Sequence, residues 1–222
     1  MRQSVIPILI AVILFMTVSC STTRVLQDGE YRLTKNRIEI SNDKDFNPNQ
    51  LNKYLKQNEG LAWSPFMVVY NWSDGSGNGW DRFIKRIGKA PVVYDPDMVD
   101  SSIENITNHL EYLGYYGSSV ESEISVKKKR VTVTYDVHLG KRFPINEISY
   151  ILPKRGEFSR DFLRDTAELG IRKGDFLSEA ILETVSETSS KMMRNLGFFD
   201  FSKNNFFFGQ TRFHVQILPD LN

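Results

Sequence analysis

The chain has 222 residues, 41% of them hydrophobic and 25% charged, with 28 basic and 27 acidic side chains. Setting aside residues 1–19, which hold Arg2 and no acid, leaves 27 of each sign, and that balance excludes the basic footprint of a nucleic-acid binder. The stretch beyond Cys20 is long enough for two small domains, and the lone cysteine rules out an internal disulfide.

In chain order, Arg2 precedes an apolar run from Val5 to Val18, about the length of a signal-peptide core and too short to span a bilayer comfortably. Cys20 stands next, at the cleavage position of a bacterial lipoprotein. Residues 1–19 are therefore read as a signal peptide and Cys20 as the acylated residue, with residues 20–30 as a linker. The alternatives are an uncleaved anchor or an ordinary signal peptide beside a chance cysteine, and Thr17 stands where the usual lipobox has leucine. On every one of these readings the rest of the chain lies outside the cytoplasm.

Residues 31–140 form a first predicted module. Arg37–Ser41 reads as a strand, and Pro48–Gln57, with Leu51, Tyr54 and Leu55 on one side, as a helix. The stretch 61–91 is too long for a plain connection inside a small domain. Phe66, Val68, Tyr70 and Trp72 alternate in it, and Trp80, Phe83, Ile84 and Ile87 fit a short helical face. It reads equally as a docking element or as a hydrophobic flap on its own domain. Asp74–Gly79 has the glycine content of a phosphate loop, but no Gly-Lys-Ser/Thr comes after it, so a flexible surface loop is expected.

Val99, Ile103, Ile106, Leu110 and Leu113 then predict a helix that closes on Leu113-Gly114-Tyr115-Tyr116, with Gly114 where a left-handed residue is wanted. Val120, Ile124 and Val126 alternate with polar residues up to a turn at Lys128 and Lys129. Val131, Val133, Tyr135, Val137 and Leu139 alternate beyond it, giving a hairpin with one dry face.

Residues 141–222 repeat this order. A strand is predicted at Ile145–Leu152, then a helix capped by Ser159 and carrying Phe162, Leu163 and Leu169. A second helix carries Leu182, Val185, Ser189, Met193 and Leu196, closing on Leu196-Gly197-Phe198-Phe199. The last hairpin has Phe201, Phe206 and Phe208, a turn at Gly209-Gln210, and Phe213, Val215 and Ile217. The sequence thus reads as α+β, two tandem βααββ modules, each a three-stranded mixed sheet packed on two helices.

Chemistry is sparse. His109, His138 and His214 show no metal-ligand spacing, and no nucleophile–base motif is present, so neither an enzyme nor a cofactor is expected. Lys127–Arg130 is read as a solvated hairpin tip that guards an edge rather than as an anion site.

The βααββ order with Leu-Gly-Tyr-Tyr closing its second helix resembles the POTRA domain of the BamA/TamA outer-membrane barrel-assembly superfamily. Cys20, Gly29-Glu30-Tyr31, Phe66–Asn71, Arg86-Ile87-Gly88 and Pro91-Val92-Val93-Tyr94-Asp95 are similar to the TamL-like lipoproteins of Bacteroidetes within it. That resemblance implies a periplasmic arm on the outer membrane, held by its lipid anchor. It would bind unfolded barrel proteins or envelope partner proteins by strand addition, at edges formed by Ser118, Val120, Ile124 and Val126 and by Phe201, Phe206 and Phe208. Family members continue into a barrel, whereas this sequence ends at Asn222, so a truncated product and a free-standing arm both stay open. The alternatives from other classes are a lipid-anchored structural adaptor and an envelope enzyme.

Overall fold

The computed structural model describes residues 22–60, 64–152, 154–211 and 214–219. In chain order these form β1 (Arg32–Ile40), a 3-10 turn (Pro48–Tyr54), α1 (Pro65–Tyr70), α2 (Gly79–Ile87), α3 (Pro96–Tyr112), β2 (Ser119–Lys127) and β3 (Arg130–His138). Next come β4 (Glu147–Tyr150), α4 (Glu157–Arg164), a 3-10 turn (Thr166–Leu169), α5 (Glu179–Asn195), a 3-10 turn (Lys203–Asn205), β5 (Phe206–Thr211) and β6 (His214–Pro219). The fold is α+β, with one three-stranded sheet ordered β1-β3-β2 and another ordered β4-β6-β5.

Two compact units divide the chain. One comprises Met1–Ile38, Lys56–Asp100 and Ser122–Tyr135; the other comprises Glu39–Leu55, Ser101–Glu121 and Asp136–Asn222.

In the first unit, the Arg32 amide donates to the Lys129 carbonyl at 2.8 Å; in the second, the Ser41 amide donates to that of Val137 at 3.0 Å. Both ends advance together, so β1 runs parallel to β3. β3 buries Val131, Val133, Tyr135 and Val137 and turns its polar partners outward, as period-two alternation requires. Lys128 and Lys129 both take positive φ, 50° and 57°, and this two-residue reversal suits the twist of a hairpin. Leu26, Leu33, Met67, Ile84 and Val99 are also buried in the first unit.

In the second unit, β4 pairs parallel with β6 and β5 pairs antiparallel with it. One apolar cluster gathers Ile145, Phe158, Phe162, Leu169, Ile171, Leu177, Leu182, Val185, Met192, Met193 and Phe201. α5 starts at Ser178, whose hydroxyl accepts from the Ile181 amide at 3.2 Å. It buries Ser189 and Ser190 without orphaning their hydroxyls, because each donates to the carbonyl four residues back at 2.7 Å. Phe46, Leu51, Leu55, Ile106 and Leu110 are buried in this unit as well.

Several local expectations are corrected. The stretch from Phe66, read as alternating, is helical: Pro65 fits the first turn of α1, where its missing N–H is not needed. Pro48–Gln57 shortens to a 3-10 turn capped by the Asn47 side chain. Ser159 does not cap α4; Gly156 does, at φ 139°, while Ser159 lies buried within the helix and Leu163 is exposed. Gly209 and Gln210 are not a turn but strand residues paired with Gln216 and Val215. Strand pairing continues to Thr211 opposite His214, and Arg212 and Phe213 lie outside the described residues.

Candidate binding interface

β2 is the outer strand of the first sheet. A two-residue reversal makes Lys127 and Arg130 a hydrogen-bonded pair, so along β2 the backbone groups of Lys127, Ser125 and Glu123 face β3. Those of Val126, Ile124, Ser122 and Val120 then face outward. The same residues share the dry face with Val131, Val133, Tyr135 and Val137; Val120 and Ser122 are half-buried, while Ile124 and Val126 stay uncovered at 45% and 53% exposed. Outward amides and uncovered apolar side chains thus coincide on the same residues, and that is the requirement for accepting a further strand. Ser118, just ahead of β2, is tied down, its hydroxyl donating to the Tyr115 carbonyl at 2.7 Å and accepting from the Gly140 amide at 3.0 Å.

The opposite edge of the first sheet is covered where β1 begins. Leu33 donates to the Val92 carbonyl at 2.8 Å and Tyr94 to that of Tyr31 at 2.7 Å, an antiparallel bridge between Arg32 and Val93. Farther along, the Asn36 side-chain amide donates to the Gln57 carbonyl and to Glu59. In the second sheet β4 and β5 are the outer strands, and β5 pairs with β6 from Phe206 opposite Pro219 to Thr211 opposite His214. Phe208 is half-buried against the apolar cluster. Phe201 lies ahead of the strand and within that cluster, where its ring meets Phe158 at 5.1 Å.

The insertion has its own organiser, which no motif singled out. Asp81, buried on α2, accepts from the Ser73 hydroxyl at 2.5 Å, the Gly77 amide at 3.1 Å, the Gly75 amide at 3.3 Å and the Lys85 ammonium at 2.9 Å. Four donors around one carboxylate hold its pKa far below the ordinary range, the Ser73 bond contributing most and Lys85 next. Asn78 caps α2 by accepting from the Asp81 amide at 2.7 Å. The glycine-rich loop is therefore tied from within rather than loose. Gly88 closes the pair of helices: a Cβ there would stand 2.7 Å from Tyr70, so α1 and α2 meet at a distance only glycine allows.

The N-terminal segment is fastened to this insertion. Buried Asn71 accepts from the Arg24 amide at 2.8 Å and the Val25 amide at 3.3 Å, and donates to the Met67 carbonyl at 2.8 Å. Thr22 accepts from Arg32 at 2.6 Å and Arg130 at 3.4 Å. An open cleft of about 630 Å³ between this segment and the insertion is lined by Arg24, Tyr70, Ser73 and Lys85, among others. No described helix is long and apolar enough to cross a membrane.

Of the three histidines, the His214 side chain lies outside the described residues. His138 is exposed on β3, and His109 stacks on Tyr54 with ring centroids 3.9 Å apart; burial and then Lys53 push its pKa down. In the described residues no three His, Cys, Asp or Glu side chains gather as a metal would need.

Known proteins resemble this chain in part. Residues 34–140 match the POTRA family, described as surface antigen variable number repeat. Solved structures with a similar chain path include BamA from Haemophilus ducreyi lacking POTRA domains 1–3, at TM-score 0.38 and 16% identity, over 84% of this chain and 28% of that one. POTRA1–2 of the periplasmic domain of Omp85 from Anabaena align at TM-score 0.33 and 10% identity, over 85% of this chain and 93% of that one. POTRA3–5 of BamA from Haemophilus influenzae align at 0.29 and 11%, over 87% and 97%. The likeness is loose in every case, and the chain spans only 28% of the first of these proteins. No curated protein matches.

Proposed function

We propose that this chain is the periplasm-facing POTRA arm of an outer-membrane protein assembly or translocation factor of the TamL-like lipoprotein kind, acylated at Cys20. Its modules are 31–140 and 141–222, and it takes extended segments of barrel clients or envelope partners by strand addition. One observation carries the reading. The first sheet has one edge bridged at its start by Val92–Tyr94 and an outer strand β2 where outward backbone groups and exposed Ile124 and Val126 coincide. Main-chain pairing reads extended shape rather than sequence, which suits a receptor for many clients. β5, an outer strand of the second sheet, offers a second edge.

The test places a photo-crosslinking residue at Ser122 in cells and identifies the adducts by mass. Outer-membrane barrel proteins are expected. Ile124→Pro, which removes an outward N–H while sparing the ladder to β3, should lower their yield roughly ten-fold with the fold intact. Recovery of a folded lipoprotein alone would favour the adaptor reading, and adducts indifferent to Ile124→Pro would end the strand-addition mechanism.

A further inference from the structure

The insertion carries apolar surface that its own fold does not consume. On α2, Trp80, Phe83 and Ile87 recur at i, i+3 and i+7, a single stripe, and are 64%, 51% and 46% exposed. The other face of the same helix buries Ile84 and Asp81. Trp80 and Phe83 stack on each other at 5.8 Å. Phe66 is also exposed, and its carbonyl accepts from the Lys89 amide at 2.9 Å, which sets it beside the end of α2. Trp72 is exposed too. Arg82, Arg86 and Lys89, all exposed, border the stripe. An amphipathic helix with aromatic residues on one side and cations beside them has the composition of an interfacial, membrane-surface element.

Chain geometry supplies the second argument. The segment ahead of β1 is fixed at Thr22, held by Arg32 and Arg130, and again at Arg24 and Val25, held by Asn71 at the end of α1. Cys20 lies two residues ahead of Thr22, so its Cα is within about 7 Å of that of Thr22 and about 14 Å of that of Arg24. An acyl chain on Cys20 would therefore enter the bilayer close to the insertion.

We infer that the α1–α2 insertion is a membrane-surface element that lays Trp80, Phe83 and Ile87 into the headgroup boundary of an anionic phospholipid layer, with Arg82, Arg86 and Lys89 on its phosphates. This deepens the proposed anchoring at Cys20 but is measured separately from it. Several acyl chains on Cys20 would hold the chain at the membrane by themselves, and the aromatic, basic face sets how the insertion lies on the surface.

All three tryptophans of the sequence, Trp63, Trp72 and Trp80, fall in this insertion, so intrinsic tryptophan fluorescence reports on it alone. The full chain, produced in a lipoprotein-processing host, is reconstituted into phosphatidylethanolamine–phosphatidylglycerol vesicles with and without brominated acyl chains. The expected result is tryptophan quenching by shallow bromines. It should weaken at least about two-fold in Phe83→Ser/Ile87→Ser and in Arg82→Gln/Arg86→Gln, variants of exposed residues that keep every tryptophan. The mass of the Cys20 peptide reads the anchor. Acylated Cys20 with unquenched tryptophans overturns the inference and leaves the anchor; quenching with unmodified Cys20 supports the inference and removes the anchor. Tryptophans shielded only when an envelope protein is added would mark a protein-docking face and also overturn it.

Discussion

Gly114 lies against Leu177 so closely that any Cβ at 114 would run into the Leu177 carbonyl, with the Ser178 Cβ 2.9 Å away. Gly197, the matching glycine of the second Leu-Gly-aromatic-aromatic signature, has nothing within 4 Å of the same position. Both glycines take positive φ, 85° and 103°. One conformational requirement is thus shared, and a packing requirement belongs to Gly114 alone.

Alanine should separate the two. At Gly197 it should cost about 1–2 kcal/mol, the strain of an L-residue in the left-handed region. At Gly114 the clash adds to that strain, and a total of about 3 kcal/mol or more is expected. Denaturant midpoints of the two variants measure the difference, and equal losses would contradict the contact with Leu177.

Arg142 sits over two rings, 4.1 Å from the centroid of Phe176 and 4.9 Å from that of Tyr115. Arg142→Lys keeps the charge but loses the planar stack, and should lower stability by about 0.5–1 kcal/mol; Arg142→Ala should cost more. Thermal midpoints with unchanged secondary-structure signal would verify both.

His109 stacks on Tyr54 and Tyr112, with Lys53 over the Tyr54 ring, and its pKa is lowered by burial first and Lys53 second. The unfolded chain then binds more protons than the folded one from about pH 6.5 downward, toward the depressed folded value. Stability should fall as pH drops through that window. His109→Phe should flatten that part of the stability–pH curve, a slope read from urea midpoints at several pH values.

Asp81 shows the opposite charge type with the same direction of loss. Its carboxylate is stabilised in the folded state, so its contribution is complete above the usual carboxylate range and is lost only as pH falls below about 4 toward the depressed folded value. Asp81→Asn replaces one acceptor with a donor facing other donors. Hydrogen-exchange protection of the Gly75 and Gly77 amides should drop roughly ten-fold at neutral pH.

Much of this fold is legible in local pattern. β3 alternates without a fault, Val99, Ile106 and Leu110 are buried at helical spacing, and the two signature glycines take the left-handed conformation their position calls for. The insertion is less readable because its decisive partners are remote. The four alternating residues Phe66, Val68, Tyr70 and Trp72 cannot tell strand from a six-residue helix, and Asn71 is fixed by amides 46 and 47 residues upstream. Asp81 is a single acid in a charged stretch until the loop folds around it. At the candidate edge, the hairpin pattern pairs β2 with β3 but does not say which of them faces outward. The parallel pairing of β1 with β3 decides that, and it is a long-range event.

The fastening of Thr22 has a mechanical meaning. Arg32 and Arg130 grip its hydroxyl, Asn71 grips the amides of Arg24 and Val25, and Lys129 reaches the carbonyls of Leu26 and Gln27 from the tip of the hairpin. The segment from Thr22 to Gln27 is held at several points. These bonds link it to buried Arg32 at the start of β1 and, through Lys129, to the turn between β2 and β3. The N-terminal segment and the outer strand β2 thus meet at one short hairpin.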